Sequence, residues 1–296
     1  MSALHTAHLP LAPAARRPGA PAWLRLLGSR PARSVLLPGT FLGLVVLAGL
    51  IAPWLAPYDP DALDMTAALA EPSAQYVLGT DQLGRDLLSR LLYGGRATLT
   101  VAAVSTLGIV ALGLLVGLVA GYFGGYVDLA ISTLLTVLLA LPSLLLSLAI
   151  LGILGPGNES LLIALIAAGW AGHARIFRAS VLALREQLYV EAAVSLGVTS
   201  GGILFRHLVP NLLPTVVILA TLDFGALLLT VSSLSFLGLG VQPPTADWGV
   251  MLNDARPYFS QVPILMVAPG VCIAAVALAS NLLGDALRDL IDAGQR

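Results

Sequence analysis

Apolar residues in this chain run in long, nearly unbroken blocks separated by shorter polar stretches. A helix that crosses a bilayer needs about 20 predominantly apolar residues. Six blocks meet or approach that length: Ser34–Pro57, Thr98–Gly121, Leu129–Leu154, Ser160–Phe177, Leu212–Leu234 and Pro263–Gly284. The pattern predicts an all-α polytopic membrane protein of six transmembrane helices. The fourth block is the weakest, since its apolar stretch is short and ends in His173, Arg175 and Arg178. With Trp170, these residues suit an interface where long side chains snorkel to the headgroups, so the helix is expected to continue past the membrane surface.

The connections between blocks set the organisation. Met1–Arg33 is rich in Pro, Ala and Arg without an apolar run, and reads as a disordered tail rather than a secretory leader, whose charged part and core would both be too long. Residues 34–57 form the first transmembrane helix, 58–97 an extracytoplasmic segment and 98–284 a core of five helices. Within that core lie a cytoplasmic loop at 178–211 and an extracytoplasmic segment at 235–262, and residues 285–296 form the C-terminus. Loops beyond about 12–15 residues usually carry function or are disordered. Six crossings put both termini on one side. With the termini inside, eleven arginines fall on cytoplasmic segments (16, 17, 25, 30, 33, 175, 178, 185, 206, 288 and 296) and only Arg85, Arg90, Arg96 and Arg256 fall outside. This is the positive-inside bias of a protein with cytoplasmic termini.

Composition narrows the chemistry. Hydrophobic residues make up 57% of the chain and charged ones 10%, against about a quarter charged in soluble domains. All fifteen basic residues are Arg. A P-loop needs its phosphate-binding Lys and Schiff-base chemistry needs a Lys amine, so any ATP-driven step must be supplied by another chain. Cys272 is the single cysteine, which excludes an intrachain disulfide. His5, His8, His173 and His207 lack metal-ligand spacing, and neither G-x-S-x-G nor H-E-x-x-H occurs. A net charge of −1 without a basic tract gives nucleic acid nothing to bind.

Three features carry candidate chemistry. Gly113, Gly117 and Gly121, continued by Gly125, repeat at intervals of four and place small residues on one helix face, where another helix of this chain or of a partner could approach closely. Asp223 lies near the middle of the fifth block. It is either a pathway residue that meets a cationic group on a substrate or a buried acid bonded to a neighbouring helix. In the inner loop, Tyr189, Ala192, Ala193 and Leu196 fall on one stripe of a short helix. Gly197 suits a left-handed C-terminal turn, and Thr199 or Ser200 suits the cap of a second short helix. On physical grounds alone this Ala-centred face could dock in a partner's cleft or rest on the membrane surface.

The residues Glu191-Ala192-Ala193, Gly197, Ile203 and Pro210 resemble the EAA loop of bacterial ABC importer permeases. Leu78-Gly79-Thr80-Asp81 with Leu83-Gly84-Arg85-Asp86, and Ala120-Gly121-Tyr122-Phe123-Gly124-Gly125 with Asp128, resemble one branch, the C-type permeases for dipeptides, oligopeptides or nickel. So do Leu234-Ser235-Phe236-Leu237-Gly238-Leu239-Gly240 through Pro243-Pro244 to Trp248-Gly249, and Asn281-Leu282-Leu283-Gly284-Asp285 with Leu287-Arg288-Asp289.

The resemblance implies a type I importer fold in a bacterial cytoplasmic membrane. It implies a non-catalytic pore subunit surrounded by lipid, paired with a homologous B-type permease. Two cytoplasmic ATPases would bind ATP and Mg, and an extracytoplasmic binding protein would deliver a peptide substrate. Glu191, Ala192, Ala193, Gly197, Ile203 and Pro210 would then couple the pore to an ATPase. Permeases for nickel or glutathione belong to the same branch. Relatives commonly carry Arg and Asp where this chain has Thr133 and Thr136, and Glu where it has Val231. A self-sufficient transporter or channel is the rival of another class; it would need broken helices or coupling acids repeated in two halves, which the sequence does not display.

Overall fold

The computed structural model describes the backbone of residues 30–294 and the side chains of residues 34–291. Residues 1–29, most of the expected tail, lie outside the described residues. The first helix, α1 (Arg30–Leu50), opens four residues earlier than the apolar block, because Pro31 is tolerated in a first helical turn and Arg and Ala are good helix formers. It stops before the short α2 (Ala52–Leu55), which has Pro53 in its first turn.

Next comes α3 (Leu87–Phe123), whose 37 residues extend about 55 Å, well beyond a hydrocarbon core of about 30 Å. It begins eleven residues ahead of the apolar block, inside the segment expected to be a loop. Asp86 caps it by accepting from the Ser89 N–H at 2.8 Å.

The third apolar block is not one straight helix. It forms α4 (Gly125–Leu139) and α5 (Ser143–Leu154), bent by 86° at the break. Pro142 explains the break: it has no N–H to give the helix, and it disfavours helical geometry at Leu141. Then follow α6 (Asn158–Arg185), α7 (Leu188–Ser195) and α8 (Ser200–Ile203). A π turn at Leu204–Leu208 leads α8 directly into α9 (Val209–Phe236), and α10 (Trp248–Ala255) and α11 (Ile264–Gly294) complete the chain. Among the described residues, α3, α6, α9 with its lead-in, and α11 are each long and apolar enough to cross a membrane. The α4–α5 pair is a fifth crossing only if counted together, and the apolar part of α1, Ser34–Leu50, is shorter than the rest. The six transmembrane helices expected from the sequence are thus, among the described residues, four long ones, a broken one and a short one.

The principal core packs Leu99 and Ala102 of α3, Leu161 and Leu165 of α6, Leu228 and Val231 of α9, and Val276 of α11. Val231, at the position where relatives carry Glu, is fully buried in this core. At one end, α10 clamps α3: the Trp248 indole N–H donates to the Leu91 carbonyl at 2.9 Å, and its ring fills the notch left by Gly94 and Gly95. Asp247 caps α10 through the N–H groups of Gly249 and Val250 and accepts from Thr98 Oγ1 at 2.7 Å. Burial pushes the Asp247 carboxyl above its ordinary range, while these hydrogen bonds pull it back down.

Beside this clamp, residues 78–86 fold into a tight turn. Arg85 pairs with Asp81 at 2.7 Å, and Arg90 with Asp81 at 3.3 Å and Asp61 at 3.7 Å, with Arg90 only 2% exposed. Gly84 has φ +72, and a Cβ there would overlap the carbonyl of Asp64.

Candidate functional site

The loop at 178–211 carries a pair of short helices rooted in the protein. Gly197 ends α7 with φ +75, and Thr199 caps α8 by accepting from the Gly202 N–H at 3.3 Å. Val190 of α7 and Ile203 of α8 are buried with Leu118 of α3, Val181 of α6, Leu208 at the end of the π turn and Leu212 at the start of α9. Asn211 donates to the Tyr189 hydroxyl at 3.3 Å and to the His207 carbonyl at 2.6 Å, closing the second side.

The exposed face of α7 differs from the expected stripe. Ala193 turns inward beside Val190, and the outward face consists of Leu188, Glu191, Ala192, Ser195 and Leu196, at the i, i+3, i+4, i+7, i+8 spacing of one helix side. Val190 carries more apolar surface than Ala192, so its side of the helix takes the core. Leu188 and Leu196 stand 81% and 84% exposed at the two ends of the outward face, with Ala192 between them. Ile203 is buried and Pro210 exposed.

The glycine face of α3 packs against α6 of the same chain. A Cβ at Gly113 would meet His173 Cβ at 2.5 Å, one at Gly117 the Ala174 carbonyl at 2.8 Å, and one at Gly121 Val181 Cβ at 2.8 Å. Gly125 lies beyond the seam, after α3 has ended at Phe123. The arginines of α6 close the seam instead of all snorkelling. Arg178 forms a two-pronged pair with Asp128 of α4, and Arg185 donates to the carbonyls of Gly121 and Tyr122 at 3.2 and 2.9 Å. Arg175 and Arg185 are exposed, and Arg178 is half-buried.

Asp223 is paired with His173, Oδ2 against Nε2, across α9 and α6. The other ring nitrogen, Nδ1, faces the Gly169 carbonyl at 3.4 Å. His173 was legible in the sequence only as an interface residue. An acid in the middle of an apolar helix requires a donor, and His173, the first of the basic residues that end the short fourth block, was the available signal. Thr133 and Thr136 are exposed and bond back to the carbonyls of Leu129 and Ser132, so they join no polar cluster.

Residues 113–296, more than half of the chain, match the model of the family described as binding-protein-dependent transport system inner membrane component. The chain belongs to this family. Relatives of this permease match over nearly their whole length. The nickel transport system permease protein NikC of Escherichia coli is 41% identical over 259 residues, covering 88% of this chain and 94% of the relative. The di/tripeptide transport system permease protein DppC of Pseudomonas aeruginosa is 41% identical over 258 residues, with 85% of each chain covered. The glutathione transport system permease protein GsiD of Pectobacterium atrosepticum is 37% identical over 278 residues, covering 94% of this chain and 91% of the relative. A solved structure of the MetNI methionine ABC transporter in inward-facing conformations shares the permease's fold, with TM-score 0.54 and 18% identity over 68% of this chain and 97% of that one. This permease is therefore a multi-pass membrane protein with the fold of an ABC transporter permease.

Proposed function

We propose that this permease is a non-catalytic pore subunit of an ATP-driven importer of short peptides. It would work beside a homologous permease, with two cytoplasmic ATPases holding ATP and Mg and an extracytoplasmic binding protein supplying substrate. Both termini and the α7–α8 loop face the cytoplasm in this reading, following the distribution of arginines.

The observation that carries the reading is the outward face of α7. Leu188, Ala192 and Leu196 are held away from the protein by a helix whose opposite side is rooted in the core. An exposed apolar face on a rooted helix suits a cleft in a partner. Glu191 adds a charge on that face, and Gly197 ends the helix where the chain must turn. Val190 and Ile203 share one cluster with α3, α6 and α9, so movement of α7 is passed to those helices together. An ATPase that grips α7 differently in its open and closed states would thereby bias the pore between two arrangements.

Peptide substrates are favoured by the di/tripeptide and glutathione relatives, both of which are named for peptides. The nickel relative at 41% identity supports a second reading, import of nickel. The test is Leu196→Asp. Leu196 is 84% exposed, so the variant should fold normally yet fail to copurify with ATPase subunits and lose uptake. Retained copurification and uptake would contradict the docking role. Uptake of labelled dipeptide, glutathione and nickel by the wild-type assembly separates the substrates.

A further inference from the structure

Between α5, α6 and α9 lies a groove of about 220 Å³, lined among others by Ser143, Ser147, Gly169, Leu227, Thr230 and Ser233. Three of its hydroxyls are already committed as donors to backbone carbonyls: Ser147 to Ala164 at 3.5 Å, Thr230 to Ala226 at 3.0 Å and Ser233 to Leu229 at 2.7 Å. Their oxygens therefore meet the groove as hydrogen-bond acceptors. One helical turn further along, the same two helices hold His173 and Asp223. His173 follows Gly169 by four residues on α6, and Asp223 precedes Leu227 by four on α9. The Asp223 side chain is still 30% exposed.

Both ring nitrogens of His173 face oxygen acceptors, the Gly169 carbonyl and the Asp223 carboxylate. An imidazole that donates to both carries a positive charge and has no lone pair for a metal. The groove thus offers acceptors leading to a carboxylate whose present partner is the imidazole of His173.

We propose that Asp223 is a transit site for the primary ammonium group of a peptide's amino terminus, and that His173 is the built-in cation that neutralises it between substrates. A primary ammonium brings three N–H donors, which suit a carboxylate together with hydroxyl acceptors. The inference rests on the peptide-import reading and deepens it by naming the substrate group that this chain reads. The exchange is one cation for another on Asp223, so the carboxylate is never left as an unpaired charge within the apolar helices.

The test uses the complete importer in proteoliposomes supplied with ATP and binding protein. Uptake of labelled Ala-Ala is compared with that of propionyl-alanine, the same molecule without its amino group. Asp223→Asn should lower Ala-Ala uptake by about tenfold while changing propionyl-alanine uptake by less than about twofold, as expected for loss of one charge-assisted contact. Asp223→Glu should restore most of the difference. His173→Gln, which removes the internal competitor, should lower the KM for Ala-Ala. Equal losses on both probes, or no loss, would overturn the proposal, as would abolition of both by His173→Gln. Wild-type uptake of nickel but of neither organic probe would instead refute the peptide reading beneath it.

Discussion

Replacing Gly117 by Ala should destabilise the protein more than replacing Gly108, although the nearest atom to the added carbon is farther away at Gly117. At Gly117 a Cβ would stand 2.7 Å from Phe177 Cβ, 2.8 Å from the Ala174 carbonyl oxygen and 2.9 Å from Arg178 N. Two of these atoms are backbone of α6, and the third is fixed to it, so relief requires the helices to separate. At Gly108 the obstruction is Ile166 Cδ1 at 2.5 Å and Cγ1 at 2.9 Å, the far end of a side chain that can rotate. Overpacking against fixed atoms costs about 1–3 kcal/mol, and the Gly117 site belongs at the upper end because separation also loosens the seam at Gly113 and Gly121. A side-chain rotation costs about 0.5–1.5 kcal/mol. Gly172 is the control: it lies in α6 with nothing within 4 Å of the added carbon, so Ala there should be neutral or stabilising by up to about 1 kcal/mol. Thermal unfolding of the purified protein in detergent checks the order. Gly117→Ala should lose about 5 °C or more, Gly108→Ala less, and Gly172→Ala nothing. Equal midpoints for Gly117→Ala and Gly172→Ala would refute the claim that α3 and α6 meet through this seam.

Other expectations follow from the same structure. Asp247→Ala removes the acceptor for Thr98 and two backbone N–H groups and should cost about 2–3 kcal/mol, whereas Asp247→Asn keeps an acceptor for the N–H groups and should cost about 1 kcal/mol or less, measured by chemical or thermal unfolding. Burial holds the Asp254 carboxyl above its ordinary value, with Arg90 and Arg85 opposing. A carboxyl whose folded pKa is raised binds its proton more tightly when folded, so its contribution to stability is present below about pH 4 and is lost as pH rises through the folded value. Unfolding midpoints measured from pH 4 upward should therefore fall less steeply in Asp254→Asn than in wild type, and parallel curves would contradict the assignment. Gly84→Ala should prevent the turn at residues 78–86 from forming, because its Cβ overlaps the Asp64 carbonyl; protease sensitivity of residues 58–86 reads this directly. Gly197→Ala, with φ +75 but open space around it, should cost only about 1–2 kcal/mol of backbone strain.

The long apolar blocks were legible because lipid leaves a helix as the only way to satisfy the backbone, so length and hydropathy suffice to find them. Their interruptions were less legible. Pro142 is a break that a periodicity reading passes over when apolar residues continue on both sides. The early start of α3 at Leu87 lies in a stretch with charged Arg90 and Arg96, and only tertiary packing makes it helical: Arg90 is buried by Asp81 and Asp61, residues the chain brings back from the preceding loop. In the loop at 178–211 the presence of a short helix, its left-handed stop at Gly197 and the Thr199 cap could be read from local chemistry. Its orientation could not, because whether Val190 or Ala192 turns inward depends on Leu118, Val181 and Leu208, which belong to other helices. The partner of Asp223 was hidden for the same reason. His173 is 50 residues away in sequence, and its position is set by the glycine seam itself, where its Cβ packs on Gly113 of α3 while its ring reaches Asp223 of α9.

The most direct test of the central claim is substrate flux into proteoliposomes, measured with this permease alone and with its full assembly of partner permease, ATPases and binding protein. The account predicts no flux from the chain alone, and accumulation that requires both ATP and an intact Leu188–Leu196 face in the assembly. Flux through the isolated chain without any ATPase would contradict it.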